Sequence, residues 1–353
     1  METVKYTPTD DDLRRIEEIK AFFNEEEIPF VESTDEFGIF LLNEGTLQVR
    51  YVNSSFHKID NSKRFGESHK GVPGNYCSHI SQEAQRKGVR VVWVFDFEMD
   101  QVNADYEYEG KTVKGFRRQW EVIKNTLRTA CGRIHYRFYA RDCEIREVPN
   151  YELRPFLNTN CFYGYRSANT NLGLYLKKDK NGFKKGTLMI VYTFGGNFYG
   201  NKGKDEVKIE VIRASTRLHC QVIGGISKCI KHFCEEYPTL IIGKKEVNVE
   251  RIIFYVDSSH NDSRGMENAN SFFKFVSWDP QGFINVFLED YENGKLKGRK
   301  GEVFMRRPLM HKEIMQGIKE HKIASIPNAG TIVYEMRRSE FMKAQEEKNG
   351  KQD

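Results

Sequence analysis

The stretch "HCQVIGGISKCIKHF", His219 to Phe233, gathers residue types able to do chemistry. Gly224 and Gly225 interrupt an apolar run, and Ile226, Cys229, Ile230 and Phe233 then recur at helical spacing. A helix opening on a glycine turn presents unpaired backbone N–H donors at the positive end of its dipole, and both attract an anion. Glycine also lets a phosphate come close to the main chain. Val222, Ile223, Gly224, Gly225, Ser227 and Lys228 are therefore the candidate diphosphate cradle. A tight strand-to-helix turn is the alternative. His219, Cys220, Cys229, His232 and Cys234 are of zinc-ligand type, but they lack a CxxC pair. Cys229 and Cys234 fall on different sides of the expected helix, so buried free thiols are expected instead, and no metal.

The elements that must position these residues can be read from periodicity. Residues 11–25 place Leu13, Ile16, Ile19, Phe22 and Phe23 on one helical face. "FGIFLL" and "TLQVRYV" read as strands joined by the turn "NEG". "YCSHISQEAQRKG" reads as a helix ending at Gly88, and "VRVVWVFDFE" as a strand buried on both faces. A basic helix, "FRRQWEVIKNTLRTAC", covers 116–131. Beyond it come the strand "CEIREV", the helix "NYELRPFLNTN" and an antiparallel meander through "NLGLYLKK", "GTLMIVYTFGG" and "DEVKIEVIRAST". The glycine pair and its helix follow, then the strand "VERIIFYVD", a helix over "GMENANSFFKFVS", the strand "GFINVFLE", and from about 311 a helix, the strand "GTIVYEM" and a charged end. The fold class expected is α/β (α+β).

With 353 residues, the chain is long enough for two or three cores. Charged residues make up 30% and hydrophobic ones 39%, which excludes a disordered chain. No apolar run approaches the roughly 18 residues of a membrane helix, and the acidic start "METVKYTPTDDDLRR" lacks a signal-peptide core. Seven scattered cysteines suit a reducing compartment, so a cytoplasmic location without membrane contact is expected. The net charge of +5 is too small to declare a nucleic-acid partner, but "KDKNGFKKG" and "KLKGRKGEVFMRR" concentrate positive charge. Each reads either as a solvated hairpin tip or as a grip on phosphates.

A meander, a glycine turn opening a helix, and then strand, helix, strand resembles the GNAT acyltransferase layout, in which such a turn binds the cofactor's pyrophosphate. "ENANSFFKFVSW" resembles that superfamily's asparagine-then-aromatic helix, although Ile226 and "VSW" depart from its usual residues. More closely, "YARDCEIREV", "LGLY", "VIGGISK", "IIFYVD" and "GTIVYEM", spread over about 139–335, resemble the C-terminal half of phage homing-endonuclease-like proteins of the Hef-like or EDxHD type. That half is similar to Mom-type DNA-modification proteins, with a GNAT-like mixed sheet. The resemblance places an arginine at Arg213 and an aspartate at Asp257. It implies acyl-CoA as cofactor, Asp257 as base or substrate-positioning group, and Tyr255 and His219 as candidate acids.

The first hundred residues resemble the same group's nuclease half, a Vsr-like or PD-(D/E)XK-like layer, through "FGIFLLNEGTLQVRYVNSSFHK" and "YCSHISQEAQRKGVRVVWVFDFE". In that family, strand carboxylates hold a divalent metal. Here "GIFLL" has no acid and Arg50 stands where the second would be, leaving only His57 of the constellation. An arginine cannot ligate a cation, so an inactive nuclease layer is expected. Asp35, Glu36, Glu44 and Asp60 leave a shifted metal site open. A disarmed layer can still grip duplex DNA through Arg50, His57, Lys58, Lys63, Arg64 and Lys70, extended by Arg117, Arg118, Lys124 and Arg128.

The expected organisation is a degenerate endonuclease-like unit at 1–115, a basic connecting helix at 116–138, a GNAT-like unit at 139–335 and a charged tail at 336–353. Three functions follow for a protein of a phage-infected bacterial cell. They are acyl transfer to a nucleobase or other amine, DNA or partner binding without catalysis, and metal-dependent cleavage with atypical ligands.

Overall fold

A computed structural model describes residues 7–54, 76–99, 102–103, 106–108, 111–113, 116–117, 119–196, 207–261, 272–279, 283–294, 296–304 and 311–349. Helix α1 (Asp10–Glu25) begins at a capping box, where Thr9 and Asp12 satisfy each other's backbone amides. Its buried face of Ile16, Ile19, Phe22 and Phe23 packs on a four-stranded sheet of β1 (Phe30–Glu32), β2 (Ile39–Leu42), β3 (Leu47–Val52) and β4 (Arg90–Phe95), in that order. The "NEG" turn joins β2 to β3 with Asn43, Glu44 and Gly45 all at positive φ. Between β3 and β4, which pair in parallel, lies helix α2 (Tyr76–Arg86). The strand expected over "VRVVWVFDFE" stops at Phe95. Asp96–Met99 turns helical (α3), because Asp96 caps the Phe97 amide and Glu98 accepts from the Phe95 amide. Helix α4 (Gln119–Ala130) closes the same face of the sheet with Trp120, Ile123 and Leu127.

The second unit begins with β5 (Tyr136–Tyr139), so the segment 116–138 expected as a connecting helix is helical only over Gln119–Ala130 and ends in a strand. Then follow β6 (Cys143–Glu147), helix α5 (Asn150–Asn160), β7 (Thr170–Leu176), β8 (Leu188–Gly196), β9 (Lys208–Thr216) and β10 (Cys220–Ile223). Helix α6 (Gly225–Glu236) leads to the hairpin β11 (Thr239–Ile242) and β12 (Lys245–Asn248), and on to β13 (Arg251–Asp257). "KFVSWD" is a strand, β14 (Lys274–Asp279), not the end of a helix. Phe272 and Phe273 lie in a turn and a bend, and residues 265–271 of that expected helix lie outside the described residues. A small sheet of β15 (Phe283–Phe287), β16 (Val303–Phe304) and β17 (Ile323–Pro327) is inserted before β18 (Thr331–Arg337), with helix α7 (His311–Lys319) ahead of β17.

The main sheet has the order β6-β7-β8-β9-β13-β18-β14. It is antiparallel except where β9 and β13 run side by side. Its core is stacked at Phe194 and Phe233, whose ring centroids lie 3.8 Å apart. The charged tail is helix α8 (Arg338–Asn349), and its Phe341 is buried in that core against Phe272. The inserted sheet packs its Ile284, Val286 and Ile326 on the free face of the N-terminal sheet, against Val91, Trp93 and Phe95. Among the described residues, no helix is long and apolar enough to cross a membrane.

Candidate functional site

β9 and β13 pair only from Lys208–Arg251 to Val211–Phe254 and then part. Arg213 and Asp257, the two residues singled out by resemblance, face the gap, and both hold the same short segment. The Arg213 guanidinium donates to the Gly164 carbonyl over 2.8 Å and to the Tyr163 carbonyl over 3.5 Å. The Tyr163 phenol donates to Asp257 Oδ2 over 2.5 Å. The Tyr163–Gly164 turn, just after α5, therefore wedges the strands where they separate. Nothing in the local sequence marks Tyr163 as Asp257's partner.

Around Asp257 lies a buried charge cluster. His260 Nδ1 is 3.4 Å from Asp257 Oδ2, and His260 Nε2 is 3.5 Å from Glu98 Oε1 on α3. The Ser259 amide donates to Asp257 Oδ1 and the Phe95 amide to Glu98. Phe162 covers the imidazole, its centroid 4.4 Å away. Burial disfavours charge on His260, but Glu98 and Asp257 outweigh it and push its pKa up to about 10. Burial likewise opposes the Asp257 carboxylate, and His260, Tyr163 and Ser259 hold its pKa below the usual range even so. Glu98 shifts upward because desolvation exceeds what His260 returns. An imidazolium between two carboxylates resembles a proton relay. Yet Glu98 is 1% exposed and His260 5%, so a substrate has no path to either ring nitrogen in this conformation. The cluster ties the two units together, as do the Trp93 amide to the Ser259 carbonyl and Arg90 to the His260 carbonyl.

The other candidate acids sit apart from this cluster. Tyr255 is 40% exposed on β13. His219 stacks on His135 at 5.0 Å and donates its amide to Asn125 of α4. There, burial and then Arg128 hold its pKa below the ordinary value.

The glycine pair answers to its own turn. Gly224 caps α6 at φ +76°, a backbone that favours glycine, and a Cβ on Gly225 would lie 2.3 Å from Ile190 Cδ1. Val222 is buried, while Ile223 and Ser227 are exposed. Lys228 folds back, donating to the Ala140 and Cys143 carbonyls at 3.0 and 2.5 Å. Cys220, Cys229 and Cys234 are buried thiols, and desolvation pushes the pKa values of Cys229 and Cys234 up to about 12.

In the N-terminal unit, Arg50 is pinned by Glu36 at 3.3 Å and Gln48 at 3.2 Å, and lies 5.8 Å over Trp93. Lys124 and Arg128 pair with Glu121 and Glu26. Arg117 lies in a short strand paired with Val102. His57, Lys58, Lys63, Arg64, Lys70 and Arg118 lie outside the described residues, as does Asp60. Asp35 is exposed beside Ser33, and Glu44 sits in the β2–β3 turn, at the opposite end of the hairpin from Glu36. Among the described residues, Asp35, Glu36 and Glu44 do not converge. A cavity of about 840 Å³ does open at the ends of β3 and β4, between Asn53, Ser54, Asp96 and Arg15 on one side and Leu288, Lys300 and His321 on the other. Burial pushes the Asp96 pKa up to about 6 against the donors Ser54 and Phe97.

A separate exposed feature among the described residues is a ribbon. β5 and β10 pair in parallel, Tyr136 with Cys220 through Tyr139 with Ile223. Phe138, Cys220 and Val222 bury one face. Tyr136 and Tyr139 remain 39% and 42% exposed. The basic loop "KDKNGFKKG" folds onto this ribbon: Phe183 packs edge-on at 5.3 Å from Tyr136, and Asn181 donates to the Arg137 carbonyl. Lys180 Nζ and Arg141 Cζ lie 5.7 and 4.8 Å from the Tyr139 ring. Asp142 neutralises Lys180, and Asp179 neutralises Lys184. Among the described residues, no acid pairs with Arg137, Lys178 or Lys185, and all three are exposed. The loop's charge was legible in sequence, but its pairing with Tyr136 and Tyr139 was not. Neither a family model nor a curated protein matches the chain.

Proposed function

We propose that the chain is a DNA-binding protein that acts by recognition rather than by catalysis. The observation that carries this reading is the ribbon of β5 and β10, where unpaired cations flank exposed tyrosines. Arg137, Lys178 and Lys185 are free to meet phosphates, and each phosphate neutralised releases counterions. The burial of His260 and Glu98 supports binding over turnover, because the best acid–base cluster is closed to substrate. The test is DNA affinity across a salt series. Replacing Arg137, Lys178 and Lys185 with alanine should weaken binding at low salt and flatten the slope of log K against log salt by about 2–3. An unchanged slope would sink the reading.

A second reading is acyl transfer, favoured by the parting of β9 and β13 with Arg213 and Asp257 at the gap. It requires the Tyr163–Gly164 turn to leave that gap. Calorimetry with acetyl-CoA tests it: no heat with the intact chain rejects it.

A further inference from the structure

We infer that strand β14 (Lys274–Asp279) pairs edge to edge with β14 of a second copy of the chain, antiparallel about a two-fold axis. The inference stands apart from the DNA-binding reading. β14 is the last strand of the main sheet, and among the described residues it pairs with β18 alone. A sheet edge offers its outward N–H and C=O groups to any strand that fits it. This edge also exposes Phe275 and Val276, at 47% and 54%.

The register against β18 decides which side chains share a face. Phe275 lies opposite Tyr334 and Trp278 opposite Ile332, and Tyr334 and Ile332 are both buried in the core. Phe275 and Trp278 are an odd number of residues apart. They share that face because the register shifts between Phe275 and Ser277, where Val276 is an extra, bulged residue. Lys274, opposite Glu335, and Asp279, opposite Thr331, share the other face. Both rings are held in place. Phe275 stands edge-on to Tyr334 at 6.3 Å, and Trp278 Nε1 donates to the Ala329 carbonyl over 2.9 Å.

The strand "KFVSWD" complements itself. Laid antiparallel on a second copy, Lys274 meets Asp279, Phe275 meets Trp278 and Val276 meets Ser277. The outer two pairs each join residues of one face, with opposite charges on one side of the sheet and two aromatic rings on the other. Cross-strand pairs of both kinds stabilise a sheet. A slip of one residue would set Lys274 against Trp278, across faces. The bulge selects the same partner. A regular strand mismatches it, whereas a second copy brings its own Val276 to the two-fold axis. The same patch then serves both copies, so the assembly closes as a dimer. Its 6 residues a side are far fewer than the roughly 20–30 of a standard interface, so the dimer is weak, with a dissociation constant on the order of micromolar.

Sedimentation velocity of the full chain over a concentration series tests this. The wild type should move from the monomer mass towards twice that mass. Lys274→Asp sets acid against acid at both ends of the pairing and should weaken the dimer about tenfold. Asp279→Lys sets base against base and should weaken it equally. Mixed in equal amounts, the two variants should dimerise like the wild type, because each then meets the opposite charge. A variant that had merely misfolded would not recover on mixing, and circular dichroism checks each fold separately. A wild type that stays monomeric up to about 1 mM overturns the inference. So does a dimer that both variants leave unchanged, since the interface then lies elsewhere. A mixture no stronger than either variant alone overturns the pairing of Lys274 with Asp279. None of these outcomes alters the salt-slope test of DNA binding.

Discussion

His260 Nε2 lies 3.5 Å from Glu98 Oε1, and this contact joins the turn after β13 to helix α3 of the other unit. Both side chains are shut away from water, and Asp257 flanks the imidazole on its other edge. His260→Ala would leave two buried carboxylates facing each other without a cation. It should cost about 3–5 kcal/mol in urea unfolding, as breaking a buried ion pair does. His260→Phe, which fills the space but supplies no charge, should recover little of that loss. Full recovery would make packing, not charge, the reason for the histidine.

Tyr163→Phe removes the phenol that donates to Asp257 and keeps the ring. Arg213 still holds the Tyr163 and Gly164 carbonyls, so the turn should stay in place. A hydrogen bond to a charged group contributes about 1.5–3 kcal/mol, and the variant should lose an amount in that range. The Asp257 carboxyl should also titrate at higher pH, because one of the donors holding its pKa down is gone. Carboxyl-detected NMR of the variant reads that shift, and an unmoved midpoint would assign the depression to His260 and Ser259 alone.

Gly225→Ala tests what the glycine pair is for. Its new methyl would meet Ile190 Cδ1 at 2.3 Å, and overpacking of this kind costs roughly 1–3 kcal/mol. Ile190→Val removes the offending atom. The double variant should therefore be more stable than the two single losses added together, by a coupling of about 1 kcal/mol. Additive losses would show that the glycine serves something other than packing on β8.

The local elements were legible because their causes are local. The apolar spacing of Ile16, Ile19, Phe22 and Phe23 requires a helix, and "NEG" requires a turn at positive φ. The segment ending in "KFVSW" misled because Phe272, Phe273, Phe275 and Val276 suit a helix stripe as well as a strand. Pairing with β18, Lys274 opposite Glu335 and Asp279 opposite Thr331, decides for the strand, and that partner lies far along the chain. The site was legible only in part for the same reason. Asp257 and Arg213 were found, but Tyr163 meets Asp257 from 94 residues away along the chain and Glu98 reaches His260 from the other unit. Tyr136 and Tyr139 looked like ordinary strand residues until β10 and the basic loop were seen to meet them.

Asp96 should give the protein a pH dependence of a definite sign. Its carboxyl has a folded-state pKa of about 6 against 3.8 for an ordinary aspartate, because burial outweighs its donors. A raised carboxyl pKa means that the folded state binds the proton more tightly than the unfolded chain. The stabilisation is therefore complete below the unfolded value and is lost as pH rises through about 6. Asp96→Asn removes this titration while keeping an acceptor for Ser54 or the Phe97 amide. Between about pH 4 and pH 7, the melting temperature of the wild type should fall relative to that of Asp96→Asn. A constant difference across that window would mean that the cavity at the ends of β3 and β4 lets enough water reach Asp96 to leave its carboxyl unshifted.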